Sequence, residues 1–201
     1  MHKKILFGLM LSLSLGVAAY ATIVYAAFPL GSLVHPEMKT NFENHRLAIY
    51  LHIFASSLAL LIGPFQFSKR LRVSRPQLHR LLGKIYLGLG VLLGGLAGLF
   101  MAAFAYGGLT SNLGFGILAV LWLFTGARAY LAIRQGDIVS HQQWMIRNFS
   151  LTLAAVALRI YLPMSMVLGL PFELCYPIIS WLCWVPNLII AEWIFNRPLS
   201  V

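Results

Sequence analysis

The stretch LGKIYLGLGVLLGGLAGLFMAAFAY, residues 82–106, decides the fold class, because Lys84 is its only charged residue. An α-helix rises 1.5 Å per residue, so about 20 apolar residues cross a ~30 Å hydrocarbon core. Five other runs have a similar length and character, at residues 5–30, 47–67, 113–134, 149–170 and 174–195. None shows the alternating ~10-residue segments of a membrane β-barrel. The sequence predicts an all-α polytopic membrane bundle of six transmembrane helices, with residues 1–201 forming a single domain.

The composition excludes the other broad classes. Of the 201 residues, 60% are hydrophobic and 10% are charged, whereas a soluble domain has about 25% charged residues. A soluble enzyme, a disordered chain and a coiled coil are therefore excluded. The net charge of +10 does not indicate nucleic-acid binding, since the basic residues lie in short loops between apolar runs. Cys175 and Cys183 are eight residues apart on one predicted helix, too far to bridge each other.

Basic residues predict the orientation of the chain, because loops rich in Lys and Arg stay in the cytoplasm. One side receives only Lys39 and Arg46, and Arg128 and Arg159 fall within spans. The other side receives Lys3, Lys4, Lys69, Arg70, Arg72, Arg75, Arg80, Lys84, Arg134, Arg147 and Arg197. We expect a multi-pass protein of the cell inner (plasma) membrane with both termini cytoplasmic and segment 31–46 external.

The first run has a second interpretation. A basic start followed by an apolar stretch and small residues also describes a signal peptide. Its apolar core of about 26 residues exceeds the usual 7–15, which favours an uncleaved first helix.

Capping-box spacings mark two helix starts on the predicted cytoplasmic side. Ser74 and Gln77 precede the third span. Ser140 and Gln143 precede the fifth span, where Asp137 is a second possible cap. Both helices are therefore expected to begin before the membrane and to run outward.

Glycines of the third span follow small-xxx-small spacings at Gly90, Gly94 and Gly98. Such spacings let two helix backbones approach closely in a membrane. Close helix packing is the favoured interpretation, and room for a flat cofactor is the alternative.

Ionisable residues within the spans are candidates for function, because they are costly in lipid. Arg128 and Glu192 lie at similar depth and could pair. Arg159 lies about 15 Å deep by helix rise, with no carboxylate at its level. It requires a backbone carbonyl, a water molecule or an anionic ligand.

Histidines form an outer and an inner group. The outer group, His35, His45 and His52 with Glu43, suggests a Zn²⁺ or Cu²⁺ site, although its spacing matches no metal motif. The inner group, His79 and His141, lies at one membrane face on parallel helices, where two imidazoles can ligate a haem iron. The alternative is that both are hydrated or hold helix ends. Hydrolase, nucleotide-binding and redox Cys-x-x-Cys motifs do not occur in the sequence.

Three strings resemble the bacterial membrane family known as domain of unknown function 2306: LHIFASSLALLIGPFQF (51–67), LHRLLGKIYLGLGVLLGGLAGL (78–99) and GDIVSHQQWMIRNFSLTLAAVALRIYLP (136–163). The resemblance covers about residues 47–165. It marks His52, Gly63, Pro64, Gln66, His79, Arg80, Gly83, Asp137, His141, Trp144, Arg147, Arg159 and Pro163. Gln142 departs from the pattern, which has Arg there. The resemblance implies the topology rather than an activity.

The helix beginning HRLLGKIY also resembles a helix of di-haem transmembrane b-type cytochromes, which are six-helix electron carriers. That likeness implies that His79 and His141 ligate an inner haem and that His52 serves an outer one. The fourth span has no histidine to pair with His52. One haem or none is therefore expected.

These observations lead to a functional hypothesis: the protein binds haem b and transfers electrons within the membrane, from quinol or another redox partner. His79 and His141 are the predicted metal ligands, and His52 tunes the site or serves a second one. The arginines predicted to neutralise the haem propionates are Arg80, Arg147 and Arg159. Two alternatives stay open: a small-solute transporter using Arg159 and His52, and a non-catalytic assembly or structural subunit. The sequence does not determine whether the protein is an enzyme.

Overall fold

The computed structural model describes residues 2–195, with side chains described for 5–194. The described chain contains helices and no strand. Its elements are α1 (His2–Ala27), α2 (Pro36–Asn44), α3 (Arg46–Gln66), α4 (Lys69–Ser74), α5 (Pro76–Ile85), π1 (Tyr86–Leu93), α6 (Gly94–Ala102), α7 (Gly108–Arg134), α8 (Ile138–Thr152), α9 (Ala154–Val167), α10 (Phe172–Leu182), α11 (Val185–Ile190) and π2 (Ala191–Phe195). The chain divides into two compact units, Met1–Met101 and Ala102–Val201.

Six continuous helical stretches in the described chain are long and apolar enough to cross a membrane, which confirms the predicted number of spans. They are Ile5–Ala27, Arg46–Gln66, Pro76–Ala102, Gly108–Arg134, Ile138–Val167 and Phe172–Ile194. The third and fifth begin several residues before their apolar runs, and the fifth starts at a side-chain cap, Asp137. Arg197, one of the basic residues used to predict the orientation, lies outside the described residues.

The capping predictions are correct in part. Arg75, and not Ser74, occupies the N-cap of α5, and its side chain makes no capping bond. Ser74 is instead the last residue of α4, a helix that the sequence analysis did not identify. Asp137, and not Ser140, caps α8, with its Oδ1 accepting from the Ser140 backbone N–H at 2.9 Å. A carboxylate in a turn is the stronger competitor for the unpaired N–H groups of a first turn.

The first unit is built around α3, which packs against α1 on one side and π1 on another. Its buried cluster joins α1 to α3 through Ala21, Leu30, Ile49 and Ile53. The segment predicted as an external loop contains α2, whose Phe42 packs against this cluster. Packing of that partly buried ring against the cluster helps a polar segment to form a helix here.

Seven-residue steps relate the contacts between α3 and the third span. Ala59 packs on Gly90, where an added Cβ would lie 2.9 Å from the Ala59 Cβ. One step away, an added Cβ on Gly83 would lie 3.3 Å from the Gln66 Oε1. This repeat is typical of antiparallel helices that cross at a shallow angle. Helix packing, the favoured interpretation of the glycines, therefore accounts for Gly90.

The second unit packs α7 against α8 and α10, with α9 on α10 and α11 on α8. Gly107 is the N-cap of α7 and has φ +89°, in the left-handed region. A Cβ at Gly107 would lie 2.6 Å from the Ser111 Oγ and 2.7 Å from the Pro177 Cγ. The turn before α7 therefore requires glycine for both conformation and space.

Candidate functional site

His141 lies in the first turn of α8, half-buried against α7. Its Nδ1 is 2.8 Å from the backbone carbonyl oxygen of Ala129. A carbonyl oxygen can only accept, so Nδ1 carries a proton, and in the neutral ring Nε2 keeps the lone pair. Within the described residues, Nε2 makes no hydrogen bond. The imidazole is thus held in a fixed orientation with a nitrogen that can ligate a metal.

His52 is held in the same manner within the first unit. Its Nδ1 lies 2.8 Å from the carbonyl oxygen of Gly94, one residue of the small-residue stripe. The ring occupies the space above Gly98, where an added Cβ would lie 2.8 Å from the His52 Nδ1. At this position, therefore, glycine makes room for an imidazole of the protein itself.

His79 and Arg80 lie in the first turn of α5, next to the N-cap Arg75. The His79 backbone N–H donates to the Arg75 carbonyl at 3.0 Å. The His79 side chain is half-buried and the Arg80 side chain is exposed. Both predicted residues are thus on the first helical turns before the apolar part of the third span.

The pairing of Arg128 with Glu192 that the sequence suggested is wrong. Glu192 instead accepts two hydrogen bonds from Arg147, at 2.5 Å from Nε to Oε1 and 2.8 Å from Nη2 to Oε2. The guanidinium of Arg128 lies over the Trp144 ring, 5.2 Å from its centroid. By position along their spans, Arg128 and Arg147 lie at a depth similar to that of Glu192. The carboxylate pairs with Arg147 because π2, which carries Glu192, packs on α8.

Trp144 connects these charges. The Arg147 guanidinium carbon lies 4.5 Å from the Trp144 ring centroid, and Phe124 approaches the ring edge-on at 5.7 Å. Cation–π contacts of this kind are favourable where water is scarce. The family resemblance marks Trp144 without giving it a role. The three-residue spacing of Trp144 and Arg147 on one helix is the feature of the sequence that could have predicted their contact.

A buried polar network, which the sequence analysis did not find, joins α7 to α8. Asn148 is fully buried and donates its Nδ2 to the Trp122 carbonyl at 2.7 Å and to the Thr125 Oγ1 at 2.9 Å. The Trp122 indole N–H donates to the Thr152 Oγ1 at 2.9 Å. Asn148 follows His141 by seven residues, so both face α7. This periodicity was the signal that could have revealed the network.

Arg159 satisfies its charge locally in part, since its Nη1 donates to the Ala155 carbonyl at 3.0 Å. This contact is the backbone carbonyl that the sequence analysis named among three possible partners. The bond lies within α9 and brings no second span to the guanidinium.

The outer metal cluster does not form. Among the residues that the structure describes, no three His, Cys, Asp or Glu side chains are grouped to hold a metal ion. His45 is the N-cap of α3 and stands edge-on to Phe100, with 5.6 Å between ring centroids. His52 turns to Gly94 instead of Glu43. Both free cysteines, Cys175 and Cys183, remain unbridged, as predicted.

Helical spans, polar residues paired inside the spans and cations at the span ends define a polytopic α-helical membrane protein. A family model described as "Predicted membrane protein (DUF2306)" matches residues 49–195. The chain therefore belongs to this family of predicted membrane proteins, which confirms the resemblance to domain of unknown function 2306 and leaves the likeness to di-haem cytochromes a prediction. No curated protein and no solved structure matches the chain significantly.

Proposed function

We propose that this integral membrane protein binds one haem b through His141 and transfers electrons within the membrane. The observation that supports the proposal is the 2.8 Å bond from the His141 Nδ1 to the Ala129 carbonyl oxygen. A ring whose second nitrogen bonds a backbone carbonyl is fixed in orientation and is a stronger base toward a metal. Neutral imidazole is also a ligand type that suits iron.

His79, which belongs to the first unit, stays a sequence-based prediction for a second haem ligand. His52 has a carbonyl-fixed ring like that of His141 and tunes the site or serves another one. Of the three arginines proposed for the propionates, Arg147 is already bound by Glu192, whereas Arg80 is exposed. Arg80 is therefore the best propionate partner, and Arg159 the next.

Bound haem b supplies a one-electron iron couple, for which quinol in the bilayer is the proposed electron donor. The protein contributes the ligands, their orientation and an apolar surrounding that controls access of water to the iron. The location that goes with this role is the bacterial inner membrane, with both termini in the cytoplasm.

The decisive measurement is the visible absorption spectrum of the protein purified in detergent from haem-replete cells, oxidised and then reduced. The proposal requires a Soret band and one haem per chain in a pyridine haemochrome assay. His141→Ala and His79→Ala should each lose most of the band. His35→Ala, which removes a histidine next to α2, is the matched control and should keep it. A colourless wild-type preparation contradicts the proposal, and so does equal loss in all three variants.

A second candidate is a non-catalytic structural subunit. Its support is the use of Arg147, Trp144 and Asn148 in contacts that pack helices within the second unit. For this role the purified protein is colourless and the histidine variants differ from wild type only in stability. Transport of a small solute by Arg159 and His52 stays a sequence-based prediction.

A further inference from the structure

Among the residues whose side chains the structure describes, one end of the first unit carries six basic residues and no acidic one. These residues, called here the basic surface, are Lys69, Arg70, Arg72, Arg75, Arg80 and Lys84. No Asp or Glu occurs in the sequence between Glu43 and Asp137. Five of the six side chains are exposed, and Arg72 is half-buried. Like charges at this density repel one another unless anions neutralise them.

The geometry of α3 places this surface at the depth of lipid headgroups. α3 has 21 residues and is therefore about 31 Å long, close to the thickness of a hydrocarbon core. α4 begins three residues after α3 ends. The basic side chains thus follow directly on the apolar layer, where phospholipid phosphates are concentrated.

The basic surface is held in place by the fold. The Ser68 Oγ accepts from the Leu71 backbone N–H and caps α4. The Arg72 Nη1 donates to the Gln66 carbonyl at 3.4 Å, which ties α4 to the end of α3. α4 also packs on α5. These contacts fix the backbone that carries the exposed cations.

Apolar side chains alternate with the cations on the same short helices. Val73 is 71% exposed and Leu81 is 55% exposed. Water alone gives such side chains no favourable partner, whereas the headgroup–acyl boundary accepts both an apolar side chain and a neighbouring cation. This second observation favours a lipid surface over a dissolved anion.

We propose that the basic surface binds the headgroups of anionic phospholipids, of the phosphatidylglycerol type, in the bilayer that the protein spans. The proposal is independent of haem binding. It assigns a lipid partner to a segment that the proposed electron transfer uses only through His79 and Arg80.

The test compares two double variants with the same change of charge. Lys69→Gln/Arg70→Gln removes one Lys and one Arg from the basic surface. Lys39→Gln/Arg46→Gln removes one Lys and one Arg near α2 and the start of α3. Phosphatidylglycerol is titrated onto the detergent-solubilised full chain at low ionic strength. Binding is followed by the rise in Tm and by native mass spectrometry.

Each cation near an anionic surface strengthens binding ~5-fold, so the first variant should bind phosphatidylglycerol about 25-fold more weakly than wild type. The control variant should bind phosphatidylglycerol like wild type. Phosphatidylcholine should bind weakly, and equally so, to wild type and to both variants. Arg75→Gln/Arg80→Gln, with a comparable expected loss, replaces the first variant if that one does not fold.

Any of four results overturns the proposal. Wild type and the first variant bind phosphatidylglycerol equally, or the control variant loses as much binding as the first variant. Alternatively, wild type binds phosphatidylcholine as tightly as phosphatidylglycerol, or inorganic phosphate raises the Tm as much as phosphatidylglycerol does. The last result would assign the basic surface to a dissolved anion.

Discussion

Arg147 and Glu192 form a two-bond ion pair that joins α8 to π2, although 45 residues separate them in the chain. The relative exposure of the two side chains is 21% and 39%. The pair is therefore neither fully buried nor fully screened by water. Its planar geometry, with two parallel N–H···O bonds, is the strong form of an arginine–carboxylate contact.

Glu192→Gln should lower the free energy of unfolding by about 1–2 kcal/mol, because it leaves the Arg147 charge without its partner. This is less than the about 3–5 kcal/mol for breaking a fully buried pair, because solvent reaches Glu192. The measurement is the Tm in detergent, with an expected fall of roughly 3–6 °C. Combining it with Arg147→Gln should cost less than the sum of the two single changes. Additive losses would show that the pair does not couple energetically. Glu173→Gln, an exposed carboxylate of α10, is the control and should have little effect.

Asn148→Ala should destabilise the second unit by about 2–4 kcal/mol, because it empties a fully buried site and removes the hydrogen bonds that the Trp122 carbonyl and the Thr125 Oγ1 accept from Nδ2. Thermal unfolding of the variant checks the loss. Gln142→Ala, at an exposed position of the same helix, should leave the Tm nearly unchanged. Similar changes in Tm for the two variants would show that the Asn148 network does not stabilise the fold.

Gly90→Ala should destabilise the first unit by about 1–3 kcal/mol, since the new methyl group would lie 2.9 Å from the Ala59 Cβ and 3.2 Å from its Cα. Backbone atoms at this distance cannot move aside as the end of a long side chain can. Gly88→Ala is the matched control in π1, where nothing lies within 4 Å of an added Cβ. It should leave the Tm unchanged or raise it. Equal losses at both positions would indicate a backbone effect rather than a contact between helices.

Asp137→Ala should lower the Tm at neutral pH, and this difference from wild type should shrink in acid. Hydrogen bonds from the Ser140 side chain and backbone N–H lower the pKa of Asp137 below its usual value. A carboxyl with a lowered pKa in the folded state stabilises fully above its unfolded pKa of about 3.9. That stabilisation is lost as the pH falls through the folded pKa. Tm measured from pH 7 downward tests the trend, with Asp137→Asn as a cap whose side chain does not titrate. A constant difference between wild type and Asp137→Ala over the whole range would contradict the prediction.

Part of the candidate site was predictable from local patterns alone. Asp137 as a cap and His141 in the first turn after it follow from a few neighbouring residues, and the structure places both there. The partners of the histidines could not be predicted, because the Ala129 and Gly94 carbonyls belong to other helices than the histidines themselves. Backbone acceptors carry no residue signature, so only a packed structure identifies them.

The sequence by itself determined the number of spans and their approximate limits, because the thickness of the hydrocarbon layer demands about 20 apolar residues per helix whatever the neighbours are. Only the tertiary structure decided that Glu192 pairs with Arg147 and that Arg128 lies over Trp144. Residues at equal depth meet the same cost of burying charge, so depth cannot choose between them. The choice depends on which helix faces which, and close packing of small and polar side chains along the whole helix sets that arrangement.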